Sequence, residues 1–116
     1  HDSHNIVAVG TSKEAIYRSI QEVTDTKGGI AVVDEEKTLA TMPLPVAGLM
    51  SDKSWQAASH ELEAIEDAFK EISDGVDFDP FITLSFLTLP VIPTLKLTDQ
   101  GLYDFDQQKI ISVEAE

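Results

Sequence analysis

The sequence predicts an α+β domain in which two helices pack on one face of a mixed or antiparallel β-sheet. Two segments show the helical spacing of apolar residues, and short runs of strand-forming residues lie between and after them. Helices grouped on one face of a sheet are typical of this class. The length of 116 residues predicts a single domain that spans residues 1–116.

The chain begins with a polar segment that leads into an apolar run, NIVAVG, at residues 5–10. A short and wholly apolar run is typical of a strand that is buried on both faces. Such a strand needs a neighbour on each side, so we expect a further strand of the domain upstream of residue 1.

The first helix is predicted at residues 12–25. TSKE at residues 11–14 matches a capping box, in which the Thr11 hydroxyl accepts from a backbone amide and Glu14 reaches back. Gly28 and Gly29 are expected to end the helix, because glycine adopts the left-handed conformation readily. The apolar stripe of the helix consists of Ala15, Ile16, Ile20 and Val23.

A β-hairpin is predicted next, with strands at residues 30–33 and 38–42 joined by the turn DEEK. Pro43 and Pro45 should stop the return strand, since proline cannot donate to a ladder. PVAGLM at residues 45–50 then predicts a packed loop rather than a strand.

The second helix has the strongest periodic signal of the chain. Its apolar residues recur at spacings of 3, 4, 3, 4 and 3, which predicts one stripe facing a core. Ser51 or Asp52 is expected to cap its start, and Asp74 and Gly75 its end. The stripe consists of Trp55, Ala58, Leu62, Ile65, Phe69 and Ile72.

The C-terminal part is predicted to contain two strands. Residues 81–89 are apolar and rich in strand formers, and Pro90 and Pro93 then force an irregular or edge path. Residues 109–113 predict the last strand.

Composition narrows the classes of partner. The net charge of −13, from 8 Lys and Arg against 21 Asp and Glu, argues against binding nucleic acid or an anionic membrane. No cysteine is present, which excludes disulfides and thiol chemistry and favours the cytoplasm. No run approaches the roughly 20 apolar residues of a membrane span.

Candidate site residues are few. His1, Asp2 and His4 offer two imidazoles and a carboxylate to a metal or substrate, and Ser3 and Asn5 lie beside them. A frayed terminus or the remnant of a purification tag would give the same pattern. His60 is expected on the solvent side of the second helix.

Two proline-containing loops are almost uncharged, MPLPVAGLM at residues 42–50 and LTLPVIPTLKL at residues 87–97, where Lys96 is the one charge. Either they fill the rim of the domain's own core, or they form an apolar surface for a partner.

Three blocks of sequence carry a resemblance to a known family. They are HDSHNIVAVG at residues 1–10, PLPVAGLMSD at residues 43–52 and DPFITLSFLTLPVIPTLKLTDQGLYD at residues 79–104. In these blocks the chain resembles the C-terminal domain of bacterial and archaeal adenine deaminases, members of the metal-dependent amidohydrolase superfamily. The resemblance runs in order from residue 1 to about Asp104, and the helices between the blocks are the divergent parts.

The resemblance implies a fragment of a larger enzyme that hydrolyses adenine to hypoxanthine and ammonia in purine salvage. A manganese or iron centre in an N-terminal (β/α)₈ barrel would activate the water that attacks C6 of the purine. The metal ligands and the opening part of the C-terminal domain would lie outside this chain, which would bind no cofactor and be inactive alone.

The implied partners are the barrel, the substrate adenine and further subunits of a homo-oligomer. The chain would brace or cap the barrel, and His1, Asp2, Ser3, His4 and Asn5 would either reach its mouth or hold the domain interface. The alternative is a non-catalytic regulatory or protein-interaction module.

Overall fold

The strands within the described residues form two separate antiparallel sheets, one of two strands and one of three. The computed structural model describes residues 4–35 and 37–114. This α+β architecture confirms the predicted class, with a third helix in place of one strand. The elements in chain order are α1 (Lys13–Asp25), β1 (Gly29–Val33), β2 (Thr38–Pro43), α2 (Trp55–Ile72), α3 (Pro80–Leu87), β3 (Leu95–Thr98), β4 (Gly101–Asp104) and β5 (Lys109–Ile111).

The chain divides into two compact units. The α1–α2 unit is Ala8–Asp77 and contains both long helices and the β1–β2 hairpin. The α3–β5 unit holds the described residues of His1–Val7 and Phe78–Glu116, with the short helix and the three-stranded sheet.

Helix α1 lies where the sequence predicts it, but Ser12 rather than Thr11 is its N-cap. The Ser12 hydroxyl accepts from the backbone N–H of Ala15 at 3.1 Å. Beyond the helix, the N–H of Gly28 donates to the carbonyl of Val23 at 2.9 Å and that of Lys27 to Thr24 at 3.0 Å. These two bonds form a Schellman motif, in which Lys27 has the left-handed φ of 59°.

The β1–β2 hairpin confirms the predicted strands and supports the core of its unit. Ile30 pairs with Met42 and Val32 with Ala40, so all four side chains lie on one face of the ladder. Val32 and Met42 are buried. Both α1 and α2 pack against the hairpin.

Helix α2 confirms the predicted helix but only part of its core. Ile65 is fully buried, whereas Trp55, Leu62 and Ile72 are exposed, so the prediction that the whole stripe is buried is wrong. The 18-residue helix is about 27 Å long and β2 about 20 Å, so the hairpin is too short to cover both helix ends. The cap is Ser54, not Ser51 or Asp52.

The strand predicted at residues 5–10 is absent from the described residues. Ile6 and Val9 are exposed, and the run pairs with neither sheet. Apolar composition favours a strand only where a neighbouring strand offers ladder hydrogen bonds, and here β1 pairs with β2 alone.

The strand predicted at residues 81–89 is wrong, since helix α3 occupies that segment. The Asp79 carboxylate accepts from the N–H groups of Phe81 and Ile82 at 2.9 and 3.0 Å. Pro80 takes the first helical position, where its missing N–H costs nothing. An apolar run fits a strand or a helix equally, and the Asp-Pro cap decides between them here.

The three-stranded sheet contains a hairpin, β3–β4, that the sequence analysis missed. Leu95 pairs with Asp104 and Leu97 with Leu102. The Thr98 hydroxyl donates to the carbonyl of Gly101 at 2.7 Å and thereby closes the tight turn. Strand β5 confirms the predicted last strand, although it ends at Ile111.

Candidate functional site

The N-terminal polar cluster is described only in part. His1, Asp2 and Ser3 lie outside the described residues, so their role stays a prediction. His4 is exposed and Asn5 is half-buried, in the segment that leads to residues 6–10.

His60 lies on the solvent side of α2, as predicted. Its imidazole Nδ1 is 3.5 Å from Oε2 of Glu63, and its side chain is 80% exposed. His60 is therefore a surface residue, and a substitution there can serve as a control for a substitution of His4.

The described residues do not fit a metal site. Within residues 4–35 and 37–114, no group of three or more His, Cys, Asp and Glu side chains is placed to hold a metal ion. Nor does any helix in this part of the chain have the length and apolarity to cross a membrane.

Lys96 is a buried cation that the sequence analysis noted only as a charge. Its ammonium donates to the carbonyl of Pro93 at 2.9 Å and of Leu95 at 3.1 Å. A buried charge must be hydrogen-bonded to be tolerated, and these two carbonyls meet that need. Lys96 thus fastens the second proline loop to β3, and a single charge within an apolar run is the signal that could have identified it.

Asp104 organises the turn between β4 and β5. Its carboxylate accepts from the backbone N–H of Gln107 at 3.0 Å and from the Gln107 side-chain amide at 2.6 Å. The backbone hydrogen bond, supported by the side-chain one, lowers the pKa of Asp104 below its ordinary value of 3.8. This geometry indicates a structural role for a carboxylate that remains ionised.

The second proline loop carries exposed apolar side chains. Val91 is 74% exposed, and Leu95 and Leu97 are half exposed on the face of β3 opposite Lys96. Leu89, by contrast, is buried. This loop therefore presents apolar surface as well as filling the core of the α3–β5 unit.

The first proline loop, residues 42–50, ends in a tight turn at residues 46–50 with apolar side chains outside. Val46, Leu49 and Met50 are 42%, 42% and 59% exposed. The prediction that this segment is a loop is confirmed, and the prediction that it is packed is wrong. Of the two alternatives left open by the sequence, an apolar surface describes this loop better than a core rim.

Comparison with known proteins places these features in a family. The family model of the adenine deaminase C-terminal domain matches residues 1–109. The chain is 58% identical over 115 residues to an adenine deaminase of Listeria monocytogenes, covering 98% of the chain and 20% of that protein.

Two further relatives also match most of this chain with a small part of their own length. An adenine deaminase of Lactiplantibacillus plantarum is 58% identical over 106 residues, which is 90% of the chain and 19% of the relative. One of Halalkalibacterium halodurans is 48% identical over 104 residues, covering 90% of the chain and 18% of the relative. The chain thus spans about a fifth of the length of the curated relatives it matches.

Proposed function

The chain belongs to the adenine deaminase C-terminal domain family, and on that premise we propose that it forms the C-terminal part of an adenine deaminase. The complete protein would hydrolyse adenine with one water to hypoxanthine and ammonia, in purine salvage in the cytoplasm. The observation that carries this proposal is the high identity to adenine deaminases over nearly the whole chain.

We place the chemistry in the four-fifths of the polypeptide that the relatives have outside this region. The manganese or iron expected for the enzyme would be held there, in a catalytic barrel. No step of the reaction is assigned to the described residues, whose side chains do not fit a metal site.

The role of this chain would be to brace the catalytic barrel. Exposed apolar side chains on residues 46–50 and on residues 91–97 support that role, because surface of this kind gains free energy when another surface covers it. Further contacts of this sort would hold a homo-oligomer of the complete enzyme.

Adenine turnover tests the proposal. The complete polypeptide, loaded with manganese, should release ammonia from adenine, and the 116-residue chain under the same conditions should release none. Ammonia release by the chain alone would overturn the bracing role, and a complete polypeptide that leaves adenine unchanged would overturn the assignment to deamination.

The N-terminal polar segment is proposed to face the active site of the barrel. His4 and Asn5 are the residues of this segment that the structure describes, and His4 lies exposed before an apolar run. A side chain that helps to close over adenine should matter for turnover more than for folding.

His4→Ala in the complete enzyme should lower kcat/KM for adenine at least tenfold and leave the unfolding midpoint within a few degrees of wild type. His60→Ala, on the exposed side of α2, is the matched control and should change neither quantity. Unchanged turnover with a lowered unfolding midpoint would instead assign His4 to the domain interface.

A further inference from the structure

The first proline loop and the start of α2 carry four exposed apolar side chains. We define the anchor patch as Val46, Leu49, Met50 and Trp55, all large apolar residues with more than two fifths of their area exposed. Trp55, the one tryptophan of the chain, is 76% exposed. Tryptophan is among the residues that most often dominate the energy of an interface.

The loop of the anchor patch is closed by its own backbone. The N–H of Val46 donates to the carbonyl of Met50 at 3.2 Å, and the N–H groups of Leu49 and Met50 both donate to the carbonyl of Val46 at 3.1 Å. Val46 and Met50 form an antiparallel bridge, so their side chains lie on the same side of the loop.

The loop is also seated on the end of α1. The N–H of Leu44 donates to the carbonyl of Gly28 at 3.0 Å, and the two backbones meet at Gly28 and Gly48. A Cβ added to Gly28 would lie 2.5 Å from the Cα of Gly48. The contact exists only because Gly28 lacks a side chain, and it fixes the loop to the helix.

Two features show that the loop is held in one conformation. Ala47 has a φ of 58°, a left-handed conformation that costs a non-glycine residue about 1 kcal/mol. Ser54 caps α2 through the N–H of Ala57, which fixes Trp55 at the first helical position. A rigid apolar surface loses little conformational entropy when it is covered, which favours docking.

The charge pattern defines the chemistry of the occupant. Residues 38–51 contain no charged side chain, although a quarter of the whole chain is charged and the net charge is −13. Asp52 and Lys53 separate this run from Trp55, and Lys53 is paired with Glu61. A polyanionic partner is repelled by the negative net charge of the chain. The complementary surface is therefore largely apolar.

The size of the anchor patch distinguishes a covalently attached partner from a second copy. A stable association of separate proteins needs about 800 Å² per partner from some 20–30 residues, and the patch supplies four large side chains. A domain in the same polypeptide docks with less area, because the tether gives an effective concentration in the millimolar range. The relatives have four-fifths of their length outside this region, which supplies such a partner.

We infer that the anchor patch docks this domain onto an apolar surface of the remaining four-fifths of its own polypeptide, with Trp55 as the main contact. The inference rests on the proposed function, since it takes the catalytic part of an adenine deaminase as the partner. It goes further by selecting one surface of the α1–α2 unit.

Amide hydrogen exchange of the complete polypeptide and of the 116-residue chain tests this inference. The peptide covering residues 44–56 should exchange at least tenfold more slowly in the complete polypeptide. Trp55→Ser should abolish that difference. Tyr17→Ser removes an aromatic side chain that is 63% exposed on α1 of the same unit, and it should leave the difference in place.

A folding control and the alternative results make each outcome decisive. The circular dichroism of the chain carrying Trp55→Ser should match wild type, since the removed side chain is exposed. Equal exchange of residues 44–56 in both proteins, or protection confined to residues 82–97, would overturn the inference. A concentration-dependent dimer of the chain that Trp55→Ser abolishes would assign the patch to a second copy instead. Adenine turnover of the same complete samples reports separately on the proposed function.

Discussion

The close contact of Gly28 with Gly48 allows a quantitative test of how the first proline loop is held. Gly28 has a φ of 119°, which only glycine adopts readily, and an added Cβ would meet the Cα of Gly48 at 2.5 Å and the carbonyl oxygen of Leu44 at 3.3 Å. The carbon contact is about 1 Å shorter than an ordinary van der Waals separation. Since the obstacle is backbone, the loop must move.

The expected cost of Gly28→Ala has two parts and one offset. Backbone strain costs roughly 1–3 kcal/mol, and displacement of packed atoms costs roughly another 1–3 kcal/mol. The loss of unfolded-state entropy returns roughly 0.4–1 kcal/mol. We therefore expect Gly28→Ala to lower the free energy of unfolding by about 3 kcal/mol.

Gly75→Ala is the matched control, because Gly75 has a φ of 69° but no atom within 4 Å of an added Cβ. It carries left-handed strain of roughly 1–2 kcal/mol without the collision, and with an unfolded-state offset of roughly 0.4–1 kcal/mol its net cost should be about 1 kcal/mol. Urea unfolding of the 116-residue chain, monitored by circular dichroism, measures the destabilisation caused by each variant. Equal destabilisation by the two variants would refute the steric argument and the seating of the loop on α1.

Two further predictions concern turns outside the core. Lys27→Gly should raise the free energy of unfolding by about 0.5–1 kcal/mol in urea, because Lys27 occupies the left-handed position of a Schellman motif that favours glycine; Lys27→Ala, which keeps the Cβ, should give no such gain. The lowered pKa of Asp104 stabilises the fold above the unfolded-state pKa, and this contribution is lost as the pH falls from about 4 through the folded-state value. Between pH 5 and pH 2, Asp104→Asn should therefore lose less stability than wild type in thermal unfolding, and an equal loss would contradict that assignment.

Local signals in the sequence predicted the elements of the α1–α2 unit. Apolar spacing identified α1 and α2, and the two prolines marked the end of β2, because each of these signals acts within a few residues. The caps were displaced by one to three residues, from Thr11 to Ser12 and from Ser51 or Asp52 to Ser54. Serine, threonine and aspartate all cap well, so a run of them leaves the boundary undetermined.

Sequence signals whose structural outcome depends on a neighbouring part of the protein were less informative about secondary structure. The run at residues 5–10 has the composition of a strand but no ladder within the described residues, and the run at residues 81–89 has one cap that makes it a helix. The exposed histidine on α2 was predicted correctly from the helical face alone. The polar cluster at residues 1–5 depends on what surrounds it, and a single sequence does not contain that information.

The exposed residues of the α2 stripe also depend on a neighbouring surface. Periodicity shows which face of a helix avoids water, and it does not show which chain supplies the covering surface. In this chain Ile65 of the stripe is buried, while Trp55 and Ile72, at its two ends, stay exposed. A large apolar residue at an exposed position is explained when a further part of the polypeptide covers it. We therefore expect the stripe of α2 to serve two interfaces, with Ile65 packing within the unit and the Trp55 end belonging to the proposed docking surface.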